Sequence, residues 1–206
     1  MNMGKMAKIR IWEVDLLRGL AVVGMIFFHF FYVLDFFGVV KNEMYENGWL
    51  LLARFVQVIF LGLVGVSLAL SESSYKKRFI RGIKVFSMGI LINLITYIFV
   101  PEMFVKFGIL HLIGLSIVIL APLSRKRYLS VLLGIIVFLA WKIAYSRASG
   151  FFVLYVLGFR SYDSSSIDYF PIFPWIGVVL FGIFIGNLLN NAINENKRKI
   201  RLRMVP

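Results

Sequence analysis

Six runs of apolar residues, at positions 16–37, 49–70, 80–100, 107–123, 128–144 and 170–189, constrain this chain more than any other feature. The hydrocarbon core of a bilayer is about 30 Å thick and takes about 20 apolar residues per helix. At about 1.5 Å per residue the run 16–37 reaches about 33 Å. The shorter runs, 107–123 and 128–144, are flanked by charges that can snorkel to the interface. Backbone groups in lipid must be satisfied within the segment, which selects helices. The expected fold is therefore all-α, a polytopic transmembrane bundle of about six helices. Residues 1–206 are read as a single integral-membrane domain, with 190–206 as a basic tail. A further apolar stretch, 151–159, is too short to span and is expected to lie at the interface or to dip in and return.

Composition supports this reading and excludes others. The chain is 60% hydrophobic, and the excess sits in the runs themselves. The first run follows a short basic segment and has no small-residue cleavage site after it, so it reads as a retained span. Cysteine is absent, which removes disulfides, thiolate metal sites and cysteine nucleophiles. The net charge of +13 would point to nucleic acid in a soluble protein, but its distribution gives it another meaning.

Seventeen of the 23 lysines and arginines fall in four places: the N-terminal flank, the loop after the second run, the loop after the fourth, and the tail. The alternate loops hold five: Lys41, Lys106, Lys142, Arg147 and Arg160. Arg54 lies within a run. Basic loops face the cytoplasm, so the N-terminus and C-terminus are both expected there. The charge then reports topology and contact with anionic lipid, with no nucleic-acid partner. The location expected is the cell membrane, multi-pass.

Ionisable groups inside a span are costly and mark sites. His29 on the first helix, Arg54 on the second with Gln57 one turn deeper, Asn93 on the third and His111 on the fourth fall at a similar depth below the outer surface. Each alone has a bland reading: a core histidine, an interfacial histidine, a snorkelling arginine, an asparagine joining helices. Four at one level point to a functional layer. Two histidines with no carboxylate in that layer make a poor ligand set, so no metal is expected. At the other end of the first helix stand Arg10, Asp15 and Arg18, readable as a capping acid with topology-setting bases or as an anion site. The pairs Gly62/Gly65 and Gly182/Gly186 are expected to serve close helix packing.

Three ordered motifs carry a family resemblance. They are Arg10-x4-Asp15-x2-Arg18-Gly19-x-Ala21-x7-His29, the run Phe107–Gly108–Ile109–Leu110–His111–Leu112–Ile113–Gly114, and Asp168–Tyr169–Phe170–Pro171–Ile172–Phe173–Pro174–Trp175–Ile176–Gly177. Together they resemble the heparan-α-glucosaminide N-acetyltransferase catalytic-domain family. The resemblance implies acyl transfer across a membrane, from cytosolic acetyl-CoA or another acyl-CoA as co-substrate to an amine or hydroxyl of a sugar or envelope acceptor reached from the outer side. On that reading His29 is the general base, His111 shares the work or holds the oxyanion, and Asp168 with Tyr169 meets the acceptor. Arg54 and Asn93 support the oxyanion, and Arg10, Asp15 and Arg18 serve acyl-CoA binding.

Two departures bear on this reading. The lysosomal enzymes carry Asn at the place matched by His29 and a histidine in the following loop. No histidine lies between His29 and His111 here, so an acyl-histidine step in that loop does not carry over. Bacterial relatives continue into a further helix, whereas this sequence ends at Pro206. The alternatives are a small transporter or flippase using the same polar layer, and a truncated non-catalytic member. A homo-oligomer also stays open.

Overall fold

A computed structural model describes residues 12–40, 47–145, 151–159 and 166–203. The elements are α1 (Trp12–Phe36), α2 (Asn47–Leu70), α3 (Tyr75–Phe99), α4 (Ile109–Leu120), α5 (Arg127–Tyr145), α6 (Phe152–Leu157) and α7 (Ile172–Arg203), with 3₁₀ turns at Pro101–Met103 and Ala121–Leu123. Among the described residues there is no strand beyond a single isolated bridge between Phe107 and Tyr169. Four helices are long and apolar enough to cross a membrane: α1, α2, α3 and α7. The run 107–123 yields only twelve α-helical residues, Ile109–Leu120, because Pro122 tightens its end into 3₁₀ geometry. At about 1.5 Å per residue that α-helical part is about 18 Å long. The stretch 151–159 contains the short α6.

The boundaries follow from local chemistry. α1 ends at Gly38, whose φ of 70° suits glycine; its N–H bonds Asp35 O at 2.9 Å and Val39 N bonds Leu34 O at 2.9 Å, a Schellman closure. α6 ends the same way at Gly158, with φ of 113° and Phe159 N on Leu154 O at 2.9 Å. α3 stops at Val100, where Pro101 disfavours a helical backbone. At the head of α7, Phe173 is extended and Pro174 opens the regular helix.

The chain forms two compact units, residues 1–63 and 64–206. In the first, α1 and α2 meet where Val56 lies against Gly24, and Trp49 packs on Phe31 at 5.2 Å and on Phe27 at 6.2 Å between ring centres.

In the second unit glycines bring helices into backbone contact. A Cβ on Gly82 would stand 2.9 Å from Gly114 O, one on Gly114 would stand 2.6 Å from Phe86 N, and one on Gly89 would stand 2.8 Å from the His111 ring. The pairings rise in α3 as they fall in α4, so the two run antiparallel. The last turns of α2 press on α7 through Gly65, whose Cβ would collide with Val179 O, and through Gly186 against Val66. Between helices in lipid, van der Waals contact replaces the hydrophobic drive, and small residues maximise it. The expected packing role of the glycines thus holds at Gly65, Gly182 and Gly186 but not at Gly62, whose Cβ would meet open space, and it extends to Gly82, Gly89 and Gly114.

One end of this unit is closed by a polar clasp. Arg78 donates to Ser124 Oγ at 2.6 Å and to Ser71 O at 2.6 Å, and Asn187 donates to Ser124 O at 2.9 Å and Ile183 O at 2.8 Å. The other end carries the candidate site.

Candidate functional site

The segment between α3 and α4 is held on three sides. Thr96 Oγ1 accepts from Val105 N at 3.1 Å. Asn93, with its amide nitrogen toward backbone carbonyls, donates to Val105 O at 2.9 Å and Gly89 O at 3.1 Å. The segment before α7 runs beside it: Ile167 N donates to Met103 O at 3.0 Å and Phe170 N to Phe107 O at 2.9 Å. Ser166 Oγ, which accepts from Lys106 N at 3.4 Å, lies 3.0 Å from Asp168 O. The second and third sequence motifs, about 60 residues apart, therefore dock on each other.

Two functional side chains converge on one turn of that junction. Asp168 Oδ2 accepts from Ile109 N at 2.9 Å. Ile109 opens α4, so the carboxylate sits at a helix N-terminus, where unpaired amides and the dipole favour negative charge. One residue earlier, Gly108 N donates to His111 Nδ1 at 3.3 Å. A Cβ on Gly108 would collide with Asp168 Oδ2, so glycine here makes room for the carboxylate. His111 is 3% exposed, wedged against Gly89, with Phe86 edge-on at 5.1 Å and Phe107 at 5.4 Å.

The partner of Nδ1 determines what His111 can do. A backbone N–H can only donate, so Nδ1 accepts and the ring proton resides on Nε2. His111 thus presents an N–H donor at Nε2. Asn93 lies against the same Gly89 and directs its N–H groups to backbone carbonyls, which makes it a pin for the loop. Tyr169 is held too: its hydroxyl donates to Tyr155 O at 2.6 Å and its ring stacks on Tyr155 at 4.2 Å, fixing α6 to the segment. Burial is the main cause that pushes the Tyr169 phenol well above its ordinary value, so it stays protonated as a donor.

The remaining sequence-derived residues belong to the other unit. His29 Nδ1 lies 2.8 Å from Met25 O. A carbonyl can only accept, so Nδ1 carries the proton and Nε2 is the basic nitrogen, the reverse of His111. Arg54 Nη1 donates to Gln57 Oε1 at 3.1 Å, one turn along its own helix. Arg18 Nη1 and Asp15 Oδ1 form an ion pair at 2.7 Å, both side chains close to half exposed. Arg10 lies outside the described residues.

Sequence reasoning missed Ser166, Thr96 and the Gly108 amide, because all three act through contacts made only by the folded loop. The seven-residue spacing of Gly82 and Gly89, one face of α3, was a signal available for the close α3–α4 contact.

Long apolar helices joined by a polar loop that gathers an imidazole and a carboxylate define a multi-pass membrane protein with a built polar site. A family profile described as "Heparan-alpha-glucosaminide N-acetyltransferase, catalytic" matches residues 10–205, and the chain belongs to that family. The match places it among transmembrane acetyltransferases. No curated protein and no solved structure gives a significant match to the chain.

Proposed function

We propose that this chain is a membrane-embedded acyltransferase that moves an acetyl group from cytosolic acetyl-CoA to an amine or hydroxyl of a sugar or envelope acceptor on the outer side. The observation that carries the reading is the docking of the second motif on the third, around His111 and Asp168, in a chain whose family profile spans residues 10–205.

The residues divide the work by their hydrogen-bond partners. His29, basic at Nε2, takes the proton from the acceptor as its nitrogen or oxygen attacks the thioester carbonyl. N–H donors meet the tetrahedral oxyanion, and His111 Nε2 is the candidate in the second unit as the Arg54 guanidinium is in the first. Collapse expels the CoA thiolate, which takes up a proton. Asp168 orients the turn that holds His111, and Asn93 pins the same loop. Arg10 and Arg18, the latter oriented by Asp15, attract the nucleotide phosphates. The chain acts as one domain in the bilayer and needs no metal. Purified protein in detergent, given isotopically labelled acetyl-CoA and envelope sugars or lipids, should transfer label. Wild-type protein that turns over no acetyl-CoA with any such acceptor refutes the reading.

The mechanism requires six spans with both termini in the cytoplasm. The 19-residue α5 is about 28 Å long, and α4, at twelve residues, is the shortest of the proposed crossings. Because native cysteine is absent, introduced thiols report cleanly. Cysteine at Ser74 or Lys126, both exposed, should be shielded from an impermeant thiol reagent in intact cells, and cysteine at Ser164, which lies outside the described residues, should be labelled. The opposite pattern overturns the topology.

A further inference from the structure

The clasped end of the second unit holds a cavity of about 360 Å³ beside the turn that joins α4 to α5. Arg125 and Lys126 line it from that turn, Arg127 and Tyr128 from the first turn of α5, and Asn187 and Asn191 from α7. Three cations border one cavity, and among the described residues no carboxylate lines it. Charges of one sign in a concavity raise the local concentration of the opposite ion. Two further features suit an anion. α5 begins at Arg127, so the cavity lies at a helix N-terminus, where the leading amides lack intrahelical partners. The Arg127 guanidinium stacks on the Tyr128 ring at 4.4 Å and donates to the Tyr128 hydroxyl, which holds it in place. Asn187 is bonded to backbone and shapes the wall, while Asn191 is an exposed amide able to donate.

The cavity also lies at an informative distance from the candidate site. His111 and Arg125 are fourteen residues apart along α4 and its 3₁₀ extension, about 20 Å by helical rise. That separation matches a ligand with a charged phosphate end and a reactive group on a long extended arm.

The geometry points to this cavity as a phosphate-binding site of the second unit, seating the nucleotide phosphates of CoA or the phosphate of an anionic lipid headgroup. Resting on the acyl-CoA reading above, the site is a further candidate anchor for the donor's phosphates, in addition to Arg10 and Arg18.

The test uses the full chain in detergent and in nanodiscs. Calorimetry compares CoA with dephospho-CoA, which lacks the 3′-phosphate, on wild-type protein, on the double variant Arg125→Gln/Arg127→Gln and on Asn191→Asp. The last places a carboxylate in the cavity at an exposed position and leaves the cations intact. Each variant should bind CoA about ten- to hundred-fold more weakly, with a shallower salt dependence. Native mass spectrometry of phosphatidylglycerol nanodiscs reads the lipid arm. Weakened CoA binding assigns the site to the donor; unchanged CoA binding with lost lipid adducts assigns it to lipid. If neither ligand is affected in variants that melt like wild type, the site is refuted, while acetyl transfer by those variants leaves the proposed function standing. If wild type neither binds CoA nor transfers acetyl, the function fails and the lipid adducts alone decide the cavity.

Discussion

The two histidines of this chain are opposite in what they offer. In the first unit His29 gives its Nδ1 proton to the Met25 carbonyl and keeps a lone pair at Nε2. In the second His111 receives the Gly108 amide at Nδ1 and keeps a proton at Nε2. Residue type alone makes them interchangeable; their backbone partners leave one an acceptor at Nε2 and the other a donor there. The difference has a structural origin. His29 lies in the middle of a long regular helix, where the carbonyl four residues back is in reach. His111 lies at the third position of α4, where the amide preceding the helix is in reach.

The largest expected effect tests this assignment directly. His29→Gln keeps size and hydrogen bonding but has no basic nitrogen, and should lower turnover by about 10²- to 10⁴-fold while CoA affinity holds. His111→Ala should lower turnover by about 10²- to 10³-fold, the cost of one oxyanion donor. His111→Gln restores an N–H near the Nε2 position and should recover most of that loss. Equal losses from the two glutamine variants would erase the distinction between base and donor.

A smaller effect should follow from Asp168→Ala, which leaves the Ile109 amide without its acceptor. About 1–3 kcal/mol of stability should be lost, read by unfolding in detergent, together with activity. Asp168→Asn retains an acceptor oxygen and should cost less. Stability unchanged by the alanine would separate Asp168 from the positioning of the loop. Smallest of all is the contrast between Gly114→Ala and Gly24→Ala. The first places a methyl against backbone of α3 and should cost about 1–3 kcal/mol; the second meets only a Val56 methyl and should cost less. The reverse order would mean that α3 and α4 are not the tighter pair.

The apolar runs made the long helices legible, since bilayer-length hydrophobicity and helix formation are one requirement in lipid. The ends were less so. The run 107–123 reads as a single span, yet Phe107 and Gly108 are drawn out of α4 to meet the segment before α7, and Pro122 shortens the other end. His111 and Asp168 were legible as candidates by residue type and motif. Their meeting across one turn was not, because a pairing 57 residues apart in the chain depends on a loop conformation no local pattern encodes. The cavity beside Arg125 was hidden for another reason: its cations are sufficient to explain topology, and a count of positive charges cannot tell a lipid-facing lysine from a cavity wall.

Arg78 shows how far such a count can mislead. By charge alone it is the equal of Lys76 and Lys77 beside it. Its fork nevertheless bridges Ser71 O, just past the end of α2, and Ser124 Oγ, just past the 3₁₀ end of α4. These are the ends of helices, where carbonyls lack partners and the dipole is negative. A ribosome-bound nascent chain emerging in order presents Arg78 before residue 124 exists, so the guanidinium must wait through the synthesis of α3 and α4 for its second partner. Lysine at this position would orient the loop equally well during insertion and would still be unable to close both contacts with one planar group. The residue is therefore a fastener set late in biogenesis, and its replacement by lysine should yield a correctly inserted chain that fails at the final step of assembly.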